Sequence, residues 1–168
     1  NNVTTMGTSA FADCSAATSM LIGTGVTTIE ASAFQNTGLL SITIPNNVTT
    51  MGTSAFADCS AATRITVGSG IVTIRTDMFA NCNAIEDVSI AATTVGTGAF
   101  QNLLLLKSLT LLNTVTTIEA SAFQNTGLLS ITIPNNVTTM GTSAFANCSN
   151  ATRITVGSGI VTIRTDMF

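Results

Sequence analysis

The apolar residues of this chain recur with a single period. Its eight phenylalanines follow one another at intervals of 21 to 23 residues, and they are Phe11, Phe34, Phe56, Phe79, Phe100, Phe123, Phe145 and Phe168. Five residues before each Phe stands Met, Ile or Val, and after each of the first seven comes an apolar pair spaced by two, usually with a polar residue between, as in Ile42 and Ile44. A period of this length predicts units that stack on one another.

Each unit is predicted to hold one short strand, a turn, an apolar corner of the type Val-Thr-Thr-Ile, and a turn that carries Ala-Phe. The β-branched pairs with a polar residue between them are typical of a half-buried strand. No unit has room for the ten or more residues of a helical pattern. We therefore predict one repeat solenoid over residues 1–168, with about seven units of 21–23 residues, parallel strands and little or no regular helix.

Two segments carry a family pattern: IEASAFQNTGLLSITIPNNV from Ile29, and IRTDMFANCNAIEDVSI from Ile74. They resemble the BspA-like (Treponema pallidum-type) leucine-rich repeat, and the resemblance extends over the whole chain. It implies a leucine-rich-repeat array. It also implies a cell-surface or extracellular protein that binds host matrix, other cells or glycoconjugates.

A longer repeat is superimposed on the short one. Residues 26–79 recur as residues 115–168 with two differences, because Asp58 corresponds to Asn147 and Ala61 to Asn150. The first 18 residues also recur unchanged from Asn46. We expect the chain to be a window of a longer array, since neither end carries the polar capping repeat of a free solenoid.

The composition argues against several classes of function. The chain has no His, Trp or Tyr, five basic residues, and a net charge of −3. These features argue against nucleic-acid binding and against histidine-based catalysis or metal binding. The most apolar run, residues 103–112, is short and includes Lys107 and Ser108, so no membrane span is predicted. We predict no catalytic site, no metal and no cofactor.

Two kinds of residue recur at fixed positions after Phe: Asn or Asp two residues after it, which we call the Asx column, and cysteine three residues after it in four units. All four cysteines stand three residues after a Phe, but only Cys59 and Cys82 fall on neighbouring units, which excludes a four-ligand zinc site. This pair is either a disulfide or, as we favour, two small buried side chains. The Asx column holds too few neighbouring carboxylates for calcium, and local capping of the backbone explains it better.

The outward strand positions form the predicted partner-binding face. Its members are Arg64, Thr66, Asp87, Ser89, Ser108, Thr110, Arg153 and Thr155. Arg64 is predicted to align with Asp87, and Glu86 with Lys107, as ion pairs on a solvated surface.

Three functions remain open after these exclusions. The leading hypothesis is a non-enzymatic extracellular or cell-surface adhesion scaffold that binds protein or glycan partners. The alternative is a self-associating subunit of an extracellular fibre, for which the partners are further copies of the chain. A distant alternative is an ice- or crystal-binding face made by threonines, which recur six residues before each Phe and at most polar strand positions.

Five asparagines lie in N-x-Ser/Thr motifs and are candidate N-glycosylation sites: Asn2, Asn47, Asn136, Asn147 and Asn150. With 14 Asn, 32 Thr and 15 Ser in 168 residues, about this number is expected by chance. The motifs therefore mark acceptors only if the host glycosylates secreted proteins.

Overall fold

The computed structural model describes residues 2–164 and 166–168, and its regular structure is entirely β. The strands within these ranges are β1 (Thr5–Met6), β2 (Thr28–Ile29), β3 (Ser41–Ile44), β4 (Thr50–Met51), β5 (Arg64–Val67), β6 (Thr73–Ile74), β7 (Asp87–Ile90), β8 (Thr94–Val95), β9 (Ser108–Leu111), β10 (Thr117–Ile118), β11 (Ser130–Ile133), β12 (Thr139–Met140) and β13 (Arg153–Val156). No helix long and apolar enough to cross a membrane occurs in the described part of the chain.

The strands fall into two kinds that alternate along the chain. The four-residue long strands pair in parallel in the orders β3-β5-β7-β9 and β11-β13, and the two-residue short strands in the orders β1-β2-β4 and β6-β8-β10-β12. Each pairing joins equivalent positions of successive turns, such as Arg64 with Asp87. The predicted parallel solenoid without helix is confirmed.

Two details of the predicted unit need correction. The apolar corner is itself a short strand, because its Thr and following Ile or Met pair with the same residues one turn away, as Thr28 does with Thr50. The apolar pair after Phe11, Met20 and Ile22, predicts a strand by the same pattern, but residues 19–22 adopt no regular structure, and Leu21 between them is 94% exposed.

The turn that carries Phe is built on left-handed backbone at two positions in most units. The residue two before Phe and the residue two after it then both have φ near +60°, as in Ser54 (55°) and Asp58 (62°) around Phe56. Local turns such as Ala57 N–H to Ser54 O alternate with bonds to the next turn of the solenoid, such as Asp58 N–H to Ala80 O at 2.7 Å. Asn, Asp and Gly tolerate this conformation best, which explains the Asx column.

The core is a continuous stack of like residues. All eight phenylalanine rings stack on their neighbours with centroids 5.0 to 6.0 Å apart and interplanar angles of 4° to 22°. In the long strands the apolar pair points inwards, so Ile42 and Ile44 are buried while Ser41 and Thr43 are exposed. Each turn buries its apolar side only against the turns that flank it.

Candidate binding face

The outward side chains of the long strands lie in two parallel rows. The first row comprises Ser41, Arg64, Asp87 and Ser108, and the second comprises Thr43, Thr66, Ser89 and Thr110, all in register from β3 to β9. On β13, Arg153 and Thr155 continue these rows beside β11. All eight residues predicted for the face are exposed or half-buried. The two rows form a hydroxyl-rich surface on β3 to β9, and β13 carries its equivalent residues.

Charge on this surface is concentrated at its centre. Arg64 Nε lies 2.9 Å from Asp87 Oδ2, and Lys107 Nζ lies 3.1 Å from Glu86 Oε2 on the adjoining turns. Both pairs are substantially exposed, so water screens them and each contributes little to stability.

The Asn and Asp residues that stand two positions after Phe form a column, and their side chains bond mainly to one another. Asn36 Nδ2 donates to Asp13 Oδ1 at 2.8 Å, and Asn81 Nδ2 donates to Asp58 Oδ1 at 2.8 Å. This arrangement replaces the expected local capping. The second oxygen of Asp58 accepts from Gln35 Nε2 at 3.0 Å. Hydrogen bonds from Gln35 and then Asn81 hold the pKa of Asp58 below its usual value.

The thiols of Cys59 and Cys82 are free and fully buried. Each donates to a carbonyl of the preceding turn, Cys59 Sγ to Phe34 O at 3.3 Å and Cys82 Sγ to Phe56 O at 3.2 Å. Hydrogen bonding to Cys59, followed by burial, raises the pKa of Cys82. The pair therefore fills the core as two small side chains, and the disulfide alternative is not what the structure has. In the described residues no cluster of three metal-ligating side chains occurs.

The side of the short strands carries the threonines that stand six residues before Phe, and a partly charged column four residues before Phe that the sequence interpretation missed. Glu30 Oε2 accepts from both the backbone N–H and the hydroxyl of Thr8, at 2.8 and 2.9 Å. Glu119 does the same with Thr97, at 2.9 and 3.0 Å. From Gly7 onwards this column contains Gly, Glu, Gly and Arg in order, and then repeats. That alternation was visible in the sequence and could have identified these contacts.

The five glycosylation motifs differ in their surroundings. The Asn47 side chain is half-buried and donates to the carbonyls of Gly23 and Val26 in the preceding turn. Its amide is thus occupied in the fold. The side chains of Asn2, Asn136, Asn147 and Asn150 are exposed.

The architecture and its repeated apolar columns define a leucine-rich-repeat solenoid. The chain is similar to a leucine-rich repeat protein from Eubacterium ventriosum, with 24% identity and a TM-score of 0.74 over 97% of this chain and 42% of that one. It is also similar to a leucine rich cell surface protein from Faecalibacterium prausnitzii, with 26% identity and a TM-score of 0.57 over 99% of this chain and 54% of that one. The chain thus spans about half the length of these proteins.

The model of the BspA type leucine rich repeat region matches residues 1–94 and 85–168 with six copies. The chain therefore belongs to the BspA-type leucine-rich-repeat family, as its sequence pattern indicated. No curated protein matches it.

Proposed function

We propose that the chain is a non-enzymatic scaffold, presented at the cell surface or outside the cell, that binds a protein or glycan partner through its long-strand face. The observation that carries the proposal is the in-register polar surface from β3 to β9, with the ion pair of Arg64 and Asp87 at its centre. Its location is supported by the similarity to a described cell surface protein.

The chemistry of the face suits broad, shallow recognition. Hydroxyls on Thr66, Ser89 and Thr110 both donate and accept hydrogen bonds, as a glycan or a backbone edge requires. The neighbouring charges orient the bound partner, since an Arg guanidinium binds carboxylates and polar oxygens through several N–H groups. Such a surface discriminates between partners without a pocket.

A binding screen tests the proposal. The purified chain is measured against a panel of glycans and matrix proteins, and the strongest ligand is then tested on the double variant Arg64→Ala, Asp87→Ala. We expect affinity to fall about tenfold, which corresponds to one well-placed contact. The matched control is Thr50→Ala, Thr73→Ala on the short-strand side, which should bind normally. Equal binding by both variants would refute this face.

A fibre subunit is the second candidate, and an exposed apolar patch favours it. Leu104 and Leu105 are 65% and 49% exposed, and Leu129 on the next turn is 53% exposed. In the positions equivalent to Leu104 and Leu105 the other turns carry small or polar residues such as Ser60 and Ala61, whereas Leu129 has an exposed Leu counterpart in Leu40. Apolar side chains in an otherwise polar surface are a feature of association sites.

Sedimentation and electron microscopy of the intact parent protein distinguish the two candidates. A fibre should appear as regular filaments that are lost in the variant Leu104→Ser, Leu105→Ala. Isolated rods in both proteins would leave the binding scaffold as the better account.

A further inference from the structure

The two differences between the duplicated blocks have the same chemical outcome. Asp58-Cys-Ser becomes Asn147-Cys-Ser, and Ala61-Ala-Thr becomes Asn150-Ala-Thr. Each change creates an N-x-Ser/Thr motif where its counterpart has none. All other residues of the blocks are identical over 54 positions.

The direction of change is given by a third copy. Residues 12–18 and 57–63 both have the sequence ADCSAAT, whereas residues 146–152 have ANCSNAT. The Asp and Ala form is thus the common one, and the paired asparagines are the departure. An Ala codon cannot become an Asn codon by a single base change, so the second motif did not arise in one step.

The fold leaves both new side chains accessible. Asn147 and Asn150 are exposed, as is Ser149 between them. Asn147 has φ 62°, the same as Asp58, so the change keeps the backbone of the turn. Within residues 2–164 and 166–168 neither side-chain amide has a hydrogen bond, in contrast to the amide of Asn47, which the preceding turn holds.

We propose that Asn150, with Asn147 beside it, is an N-glycosylation site specific to the second block. The step joins Asn150 Nδ2 to the anomeric carbon of an oligosaccharide carried on a polyprenyl pyrophosphate. The bond from that carbon to the carrier's phosphate oxygen breaks, the pyrophosphate leaves with the electron pair, and the amide loses a proton. The inference rests on the proposed surface or extracellular location.

The site has a consequence for the binding face. Asn150 lies three residues before Arg153, which begins β13. A glycan there stands beside Arg153 and Thr155, whereas the equivalent Arg64 and Thr66 have Ala61 at that position. Glycosylation would therefore shield one of two identical stretches of the face and leave the other open to a partner.

Peptide mapping of the protein isolated from its own cells tests the site directly. Peptide N-glycosidase in heavy-oxygen water converts each occupied Asn to labelled Asp. We expect label at Asn150 and none at Asn47. An unlabelled Asn150 overturns the proposal. The readout is a mass and needs no partner, so it stands apart from the binding screen, and a chain that binds but lacks label refutes this inference alone.

Matched variants expressed in the secretory pathway of a eukaryotic cell give a second test. Thr152→Ala removes the motif without touching Asn150 and should cost the mass of one glycan, while Thr63→Ala in the first block should change nothing. Ala61→Asn should gain one glycan at the equivalent exposed position. Modification at position 61 of that variant together with an unmodified Asn150 would contradict the proposal, as would the absence of glycan from both positions.

Discussion

The duplicated blocks, residues 26–79 and 115–168, place nearly the same sequence in two environments. Ile65 in β5 is fully buried between β3 and β7, but its counterpart Ile154 in β13 pairs with β11 alone and is 48% exposed. Similarly, Ile74 is fully buried and its counterpart Ile163 is 56% exposed. Within residues 1–168, Ile65 has a turn on each side and Ile154 has a turn on one side only, which accounts for their different burial.

This difference shows where the stability of the fold resides. A single turn has little apolar surface that it can bury by itself, and the free energy comes from the interfaces between adjacent turns. A side chain that has a turn on each side should thus contribute far more than the same side chain with one.

The largest expected effect is the contrast between Ile65→Ala and Ile154→Ala. The first leaves a cavity in a packed core and should lower the free energy of unfolding by about 2–5 kcal/mol. The second removes a half-exposed side chain, and we expect a loss below about 1 kcal/mol. Urea titration of both variants, each made in the chain of residues 1–168, measures the contrast. Similar losses would show that the two environments are equivalent, contrary to the structure.

Glycine substitutions directly after the short strands test the same contrast between an inner turn and the first turn. A Cβ at Gly52 would lie 2.3 Å from Ala31 N in the preceding turn, whereas at Gly7, in an identical stretch of sequence, it meets only Glu30 Oε2 at 3.9 Å. Gly52→Ala forces a backbone shift and should cost about 1–3 kcal/mol. Gly7→Ala is the matched control and should be close to neutral in the same titration. A neutral Gly52→Ala would mean that the turns can separate freely.

Much of this fold was predictable because its columns repeat. The stacked phenylalanines, the inward Ile42 and Ile44, and the pairing of Arg64 with Asp87 follow from one alignment of the sequence with itself. The short strands were harder to predict from the sequence pattern, since a two-residue strand has no alternation to detect.

The candidate site likewise has some features that the sequence predicts and others that it does not. The positions on the long-strand face follow from strand register, but the contact of Glu30 with Thr8 depends on a side chain that crosses to another turn. Left-handed backbone at Ser54 was also hidden, because Ser has no strong preference for φ above zero. These features are set by the geometry between turns.

Lowering the pH should remove a stability contribution made by Asp58, and its counterpart Asn147 has no carboxylate to make one. The hydrogen bonds from Gln35 and Asn81 lower the pKa of Asp58 in the folded state, so its contribution is present above the unfolded pKa near 4 and is lost as the pH falls through the folded value. Because the carboxylate is only partly shielded from water, we expect only a few tenths of a kcal/mol. Asp58→Asn should flatten the dependence of unfolding free energy on pH between about 5 and 2. An unchanged slope would show that the two hydrogen bonds do not favour the carboxylate.

The last effect is the salt dependence of stability at the arginines that begin β5 and β13. Arg64 has an ion pair with Asp87 at 2.9 Å, whereas Arg153 has no ion pair with any described residue. Arg64→Ala should therefore lower the unfolding free energy by less than about 1 kcal/mol at low salt, and the loss should shrink as added salt screens the pair. Arg153→Ala is the control and should show no such salt dependence. A large, salt-independent loss for Arg64→Ala would mean that this residue is part of the structural framework, and its value as a binding residue would have to be judged by another substitution.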